Sequence, residues 1–306
     1  MNPELLSKVR QDPAYRKLAA AVSVPASHIN ISGPCDPQKA LLAAALAAET
    51  GRVPFIVVPD ELSARTMAAA LAAFFDKPVR VFRQRELGLA DAEASSHDTE
   101  TLRIGVLADL LDGNAGAVVA SAAAALQKLP PVAGFCDAIR VLETGTEQDP
   151  DALADHLAAI GYERVRQAEG PGQFARRGDI LDVILPGEES AAVRISFFDR
   201  EIDAVKRFDP ASQRSIEMLT SVRIPPAREL LVPPADRERV SAAVLQAGRA
   251  HLDRLAREGS DASLFEHVRQ VVERDAERLA HGLSFAACDR WLPLLYPEPA
   301  TLLDYA

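Results

Sequence analysis

The sequence contains little cysteine and no long apolar run, and both shortages narrow the protein classes that fit it. Only three cysteines occur in 306 residues, Cys35, Cys136 and Cys288, and none forms a C-x-x-C pair. Structural zinc sites and disulfide frameworks need closely spaced cysteines, so we expect neither. No stretch of about 18 uninterrupted apolar residues occurs, so we expect no membrane span. Residues 1–25 lack the apolar core of a secretion signal, which favours a cytoplasmic protein.

Positive charge is also scarce. The 34 lysines and arginines are outnumbered by 44 aspartates and glutamates, which gives a net charge of −10. An acidic surface repels phosphate backbones, so we do not expect the whole chain to read DNA directly. A local basic patch that binds DNA is still compatible with this charge. Arg80, Arg83 and Arg85 are the candidate patch, and a gel shift with steep salt dependence would reveal DNA binding by it. Hydrophobic residues make up 48% of the chain, enough for a sizeable core.

The first part of the chain alternates helical and strand patterns. Helices are expected at residues 36–51, 61–77 and 99–113, and short apolar strands at residues 53–60, 78–82 and 116–121. Asp36 and Asp60 are the expected N-caps of the first two helices. Strands that alternate with helices in this way predict a parallel sheet covered by helices, and so an α/β fold.

The pattern changes after the proline-rich stretch at residues 129–134. A helix with Asp-Pro at its start and Gly at its end is expected at residues 149–165. Closely spaced strands then follow, at residues 175–186, 191–199, 200–210 and 217–226. Strands joined by such short turns are antiparallel. We therefore predict a separate α+β domain at residues 134–222, with a mostly helical segment at 223–306 after it.

One segment, "INISGPCDPQKALLAA", lies where a phosphate-binding loop would open a helix. A working loop has the pattern G-x-x-x-x-G-K-[ST], whose lysine meets the phosphates and whose hydroxyl holds Mg²⁺. Here Gly33 and Lys39 are present, but Ala40 stands where the hydroxyl belongs. Asp36 would repel phosphate, and Pro37 removes an N–H donor. We interpret the loop as degenerate, without ATP turnover.

Other catalytic chemistry has little support in the sequence. No two carboxylates form a convincing acid–base pair, and Asp199 to Glu201 are typical of a solvated hairpin turn. Ser196 and Ser284 lack a G-x-S-x-G setting. The six histidines do not cluster with one another or with the cysteines. We expect no catalytic residue, no cofactor and no metal site.

The strand "VRISFF" is more informative. Alternation directs one apolar set of side chains to the core, namely Val193, Ile195 and Phe197. The polar face then carries Arg194 and Phe198 together. An exposed aromatic beside an arginine is typical of a partner-binding hot spot, but a loop or helix that covers Phe198 is equally compatible with the sequence.

The next strand, "REIDAVKRF", is expected to pair with it. Its alternation predicts Glu201, Asp203 and Arg207 on one side and Ile202, Ala204 and Phe208 on the other, with Val205 and Lys206 as exceptions. Mixed charge around an aromatic suits a protein interface better than a phosphate track.

Three stretches carry a family resemblance: "GQFARRGDILDVILPG", "VRISFFDREIDAVKRFDPASQRS" and "VRIPPAREL". They closely resemble the N-terminal UvrB-homology module of bacterial transcription-repair coupling factors, the Mfd family. The resemblance extends over nearly the whole chain. It is strongest from Gly172 to Leu230 and weak in the first 130 or so residues.

The resemblance implies an architecture and a partner. Residues 1–133 and 223–306 would form one helicase-like, P-loop-type α/β domain without ATPase function, and residues 134–222 an inserted domain that docks UvrA. The family's UvrA-contacting positions correspond here to a set of side chains, namely Arg177, Arg194 and Phe198, with Glu201 and Arg207 at the rim. Arg176, which faces the opposite way from Arg177 along a strand, is expected to be a solvated charge.

The implied function is a non-catalytic interaction module that recruits UvrA for nucleotide excision repair at stalled RNA polymerase. RNA polymerase and DNA would be bound by further domains whose motifs this sequence lacks. The chain is therefore either a fragment of a longer protein or a free-standing homologue, and the strand pattern of "TLLDYA" favours a fragment. The alternative is a UvrB-like nucleotide- or DNA-binding protein with ATPase activity, which calorimetric titration with ATP and Mg²⁺ would distinguish. The segment at 83–98 is free of aromatics, so UvrB's DNA-clamping aromatic hairpin is not expected.

Overall fold

The structure is a computed structural model that describes residues 3–85, 97–188, 191–259, 261–283, 285 and 287–306. The described residues divide into two compact units. The first lies within Met1–Arg85, Val106–Gln127 and Thr301–Ala306, and the second within Glu86–Gly105 and Lys128–Ala300. The division into 1–133, 134–222 and 223–306 stays a prediction.

The first unit is built around a small parallel sheet. Up to residue 126 the chain forms α1 (Pro3–Gln11), α2 (Pro13–Val22), α3 (Asp36–Thr50), β1 (Phe55–Val58), α4 (Glu61–Ala72), β2 (Val79–Phe82), α5 (His97–Leu111), β3 (Ala117–Ser121) and α6 (Ala122–Leu126). The strand order is β1-β3-β2, and both pairings are parallel. Helix α5 contributes residues to both units. The predicted parallel sheet with helical crossovers is thereby confirmed.

Local signals explain most of these boundaries. Asp60 caps α4, since its carboxylate accepts a 2.7 Å hydrogen bond from the backbone N–H of Ser63. At α3 the N-cap is Cys35, one residue before the expected Asp36, and Gly51 ends the helix in a left-handed conformation. Alanines on α3 and α4 pack with Met67 and Leu71 of α4 and with Val119 of β3. The apolar strands therefore form the core of this unit.

The second unit contains a larger antiparallel sheet. Its elements are α7 (Val132–Ala138), β4 (Arg140–Glu143), α8 (Pro150–Ala159), β5 (Glu163–Arg164), β6 (Gln173–Arg177), β7 (Ile180–Ile184), β8 (Ala192–Phe198), β9 (Glu201–Phe208), β10 (Ser215–Leu219), β11 (Ser221–Ile224), α9 (Arg237–Arg257), α10 (Ala262–Ala280) and α11 (Leu292–Leu295). The sheet order is β10-β9-β8-β7-β6-β5, antiparallel except for the β5–β6 pair. A separate antiparallel pair joins β4 and β11.

Two segments that we expected as single strands are each two strands. Residues 175–186 fold into the β6–β7 hairpin, because Gly178 adopts a left-handed conformation (φ 59°) that turns the chain back on itself. Residues 217–226 divide at Thr220 between β10 and β11, which belong to different sheets. In both cases the interpretation as a single strand missed a change of direction.

One face of the six-stranded sheet forms the main core of the second unit. Strand residues Leu181, Val183, Val193, Ile195 and Val205 are fully buried there against Leu153 and Leu157 of α8. Burial of each such side chain contributes on the order of 1.5–3 kcal/mol. The opposite face is covered only in part, by a small cluster around Ala175, Ile184 and Phe208. The rest of that face is available for contacts.

The helical segment after the sheet forms its own cluster. Val240 and Val244 of α9 pack with Val272 and Leu279 of α10, the two long helices of this part of the chain. No helix among the described residues is long and apolar enough to cross a membrane. The described ranges also hold no cluster of His, Cys, Asp and Glu suited to a metal ion. Most of the aromatic-free segment, residues 86–96, lies outside the described residues.

Candidate functional site

The partly open face of the six-stranded sheet brings together the predicted binding residues. Strand pairing places Asp182 of β7 directly opposite Arg194 of β8. Ala175 of β6 pairs with Asp182, and Arg177 lies two residues further along β6. Because side chains alternate between the two faces of a strand, Arg177 lies on the same face as Asp182. We call the surface formed by Arg177, Asp182, Arg194 and Phe198 the arginine face.

A buried carboxylate connects the two arginines. Asp182, only 2% exposed, accepts hydrogen bonds from Arg194 Nε (2.6 Å, to Oδ1) and Arg194 Nη2 (2.9 Å, to Oδ2). Its Oδ2 also accepts a hydrogen bond from Arg177 Nη2 at 2.9 Å. The guanidinium of Arg177 is half exposed, whereas that of Arg194 is largely covered. The two arginines are therefore an outer and an inner member of one ion-pair network.

Further contacts fix Arg194 in place. Gln213 accepts a 2.9 Å hydrogen bond from Arg194 Nη2 and one of 3.3 Å from Arg177 Nη2. The guanidinium of Arg194 also stacks over the ring of Phe208, 4.6 Å from its centroid. The hydrogen bond to Asp182 raises the pKa of Arg194, so its positive charge is permanent. Several contacts therefore hold the side chain of Arg194, whereas the side chain of Arg177 is half exposed.

Phe198 ends β8 with its side chain in solvent. It is 78% exposed, so the alternative in which a loop or helix covers the ring does not hold. Its pairing partner is Glu201, across a turn in which Asp199 has a positive φ of 58°. Val193, Ile195 and Phe197 are buried, as alternation predicted. A large exposed aromatic on the same sheet face as two arginines is a candidate interface anchor.

The two rim candidates lie on different faces. Glu201 is exposed next to Phe198. Arg207 pairs with Val193, so it points to the other side of the sheet, where it forms a 3.7 Å ion pair with Glu217. The expectation that Glu201, Asp203 and Arg207 share a side is wrong, because a register shift after Ser196 interrupts the alternation.

Arg176 differs from its expected role. It faces the core side of β6, is 21% exposed, and forms an ion pair with Asp151 near the start of α8. The solvated charge that we expected is instead a contact between the sheet and the helix that covers it. Arg176 therefore offers a control for its neighbour Arg177.

The candidate phosphate loop has a different environment. Residues 23–35 contain no strand, and Gly33 adopts a positive φ of 96°. The ammonium group of Lys39 forms a 2.8 Å ion pair with Asp36. Arg80, from the candidate basic patch, pairs with Asp109 at 2.6 Å. Acidic neighbours thus neutralise Lys39 and Arg80, two of the cations that we expected to meet phosphate.

Asp182 and Gln213 were absent from our sequence-based site. Asp182 alternates with apolar residues in "ILDVI", an unusual place for a charge on a largely buried strand. The sequence therefore contained a signal for Asp182. That signal could not be interpreted without the β6–β7 hairpin, because we expected a single strand there. Gln213 lies in the turn between β9 and β10, where the sequence gives no comparable signal.

Comparison with known proteins gives a consistent set of relatives. The UvrB interaction domain family matches residues 141–230. The chain is similar to the transcription-repair-coupling factor of Bacillus subtilis, 32% identical over 87% of this chain and 22% of that protein. The corresponding protein of Escherichia coli is 26% identical over 80% of this chain and 20% of its own length. UvrABC system protein B of Thermosipho africanus is 26% identical over 79% of this chain and 38% of its own length. The chain thus spans about a fifth of the coupling factors that it matches.

Proposed function

This chain belongs to the family of UvrB-homology modules related to transcription-repair coupling factors, as its sequence predicted, and we propose that it binds UvrA through the arginine face. It is a repair-related interaction module, and UvrA is the partner that its interaction domain indicates. In a full-length coupling factor this contact would recruit UvrA for nucleotide excision repair at stalled RNA polymerase. RNA polymerase and DNA would be bound by other domains of that protein.

The observation that carries the proposal is the exposure of Phe198 on the same face of the sheet as the half-exposed Arg177. Desolvation of a ring that is 78% exposed would supply the apolar anchor of an interface. Arg177, on the same face, would donate charge-assisted hydrogen bonds to a carboxylate on UvrA. Arg194 would hold Arg177 in place through their shared partner Asp182, and Glu201 would add a negative charge at the rim. Arg207, on the other face, would act only if UvrA reaches around the edge of the sheet.

We also propose that the module is not catalytic. Lys39 already has Asp36 as its ion-pair partner, and the loop before it lacks the glycine spacing and hydroxyl of a working phosphate loop. The helicase-like domain formed from residues 1–133 and 223–306, with the UvrA-binding domain 134–222 inserted, belongs to the same proposal. It gives the interaction domain a scaffold rather than an ATP-driven motor.

The direct test measures the affinity of purified UvrA for the chain and its variants. Phe198→Ala and Arg177→Ala should each weaken binding by about 2 kcal/mol or more, which is roughly 30-fold, because both remove central anchors. Arg194→Ala should abolish binding, since it also leaves the buried carboxylate of Asp182 with Arg177 as its remaining partner among the described residues. Thermal unfolding of each variant should show that the fold is retained.

Two controls match these variants closely. Arg176→Ala removes an arginine from the same strand but from its other face, and Leu62→Ala removes an apolar side chain that is 76% exposed in the first unit. Neither should change the affinity for UvrA. Unchanged affinity in both Phe198→Ala and Arg177→Ala would refute the proposed function.

A further inference from the structure

The carboxylate of Asp182 occupies a position that the binding role of the arginines alone does not explain. It is buried in the middle of the arginine face, in a strand whose neighbouring side chains are apolar. A buried charge destabilises a fold unless it is paired and hydrogen-bonded. Here three donors from two arginines satisfy it. The arrangement joins two residues that lie on different strands into one unit.

We propose that Asp182 is a positioning residue that holds the guanidinium of Arg177 ready to receive a carboxylate of the partner. This inference rests on the proposed function, whose site it deepens. Gln213 assists, because its side-chain oxygen accepts hydrogen bonds from both arginines.

The hydrogen bonds assign distinct tasks to the two arginines. All three nitrogens of the Arg194 guanidinium donate within the network, to Asp182 and to Gln213. Arg177 donates through Nη2 alone, and within the described part of the chain its Nε and Nη1 have no acceptor. A guanidinium carries five N–H donors in a fixed plane, so the N–H groups on Nε and Nη1 keep fixed directions while Nη2 is held. Arg194 is the support, and Arg177 is the contact.

The net charge of the network indicates which kind of group on the partner it would bind. Two guanidiniums and one carboxylate leave a net charge of +1 on the arginine face. One acidic side chain on UvrA would neutralise it. Because Asp182 fixes Arg177 before binding, less side-chain entropy is lost when the contact forms.

Asp182→Asn separates positioning from simple charge, since the two predict opposite signs. The substitution keeps the shape of the side chain and raises the charge of the face to +2, which by long-range attraction alone would strengthen binding to an acidic partner. If Asp182 positions Arg177, binding weakens by at least about tenfold, mostly through faster dissociation. Surface plasmon resonance with purified UvrA, well below the melting temperature, gives both rates. Unchanged or tighter binding overturns the proposal.

A double-mutant cycle distinguishes positioning from a purely structural role. In the Arg177→Ala background, Asp182→Asn should cause no further loss of affinity, because its effect passes through Arg177. Full additivity of the two losses would overturn the proposal. If the Asp182→Asn variant does not fold, the Gln213→Asn variant provides the test of positioning instead. Asparagine tolerates the left-handed conformation of residue 213 (φ 62°) while its shorter amide withdraws from the arginines, so weaker binding supports positioning and unchanged binding rejects it.

Phe198→Ala keeps this test independent of the proposed function. If Phe198→Ala and Arg177→Ala both leave UvrA binding unchanged, the site itself is wrong. If Phe198→Ala weakens binding and Asp182→Asn does not, the site stands and only the positioning role of Asp182 fails.

Discussion

At the scale of single residues, adjacent arginines on one strand belong to different surfaces. Arg177 faces solvent with half of its side chain exposed, while Arg176 faces α8 and pairs with Asp151. The difference follows from the two-residue repeat of a strand, so it was predictable from the sequence. The network around Asp182 was not, because it depends on which strands are paired and in which register.

His156 on α8 provides a residue-scale prediction about pH. Its Nε2 is buried and has no hydrogen-bond partner among the described residues. Burial lowers the pKa of His156, and the nearby charge of Arg140 lowers it further. In the unfolded chain this histidine therefore binds a proton at about pH 6.5, whereas in the folded chain it stays neutral at that pH. Stability is lost as the pH falls below that value.

The measurement compares melting temperatures at about pH 7.5 and pH 5.5. His156→Gln should show a smaller acid-induced decrease than the parent chain, because glutamine has no proton to gain. His28→Gln, at an exposed histidine, serves as the control and should behave like the parent. An equal decrease in His156→Gln and the parent would contradict the prediction.

At the scale of elements, apolar periodicity predicted helices and the parallel sheet well but missed reversals of direction. The helix at 61–77 and the strands at 78–82 and 116–121 were expected near their observed positions. The β6–β7 hairpin was missed, because Gly178 lies inside a run that otherwise resembles one strand. A two-residue turn there is a matter of backbone conformation, which hydrophobic patterning does not record.

The contact between α9 and α10 makes an element-scale prediction. Gly248 of α9 lies against Val272 of α10, and a methyl group at position 248 would overlap both Cγ atoms of that valine. Val272 is buried and β-branched, so it has little freedom to move. Gly248→Ala should therefore destabilise the chain by about 1–3 kcal/mol despite the better helix propensity of alanine.

Chemical denaturation of two further variants checks this origin. Adding Val272→Ala to Gly248→Ala should give a loss smaller than the sum of the two single losses, because the overlap is relieved. Gly134→Ala, in α7, is the matched control, since nothing lies within 4 Å of the added methyl group. It should be neutral or slightly stabilising. A neutral Gly248→Ala would show that α9 and α10 separate at little cost.

At the scale of the whole molecule, the second unit joins segments that are far apart in sequence. Arg103 of α5 and Glu229, after β11, form a bidentate ion pair with distances of 2.7 and 2.8 Å. Both side chains are almost completely buried, at 0% and 2% exposure. Neither charge looked special in the sequence, since a buried partner 126 residues away leaves no local pattern. Long-range pairs of this kind are the part of the fold that sequence reasoning could not supply.

The Arg103–Glu229 pair allows a test of how this unit is held together. Arg103→Met should lower the free energy of unfolding by about 3–5 kcal/mol, because it leaves the carboxylate of Glu229 buried without its main partner. The double variant Arg103→Met with Glu229→Leu should recover much of that loss, since the buried carboxylate is removed together with the guanidinium. Arg228→Gln is the control. It breaks the more exposed pair with Glu100 and should cost about 1 kcal/mol or less. Guanidinium denaturation of all three variants measures these differences, and an Arg103→Met variant as stable as Arg228→Gln would contradict the assignment.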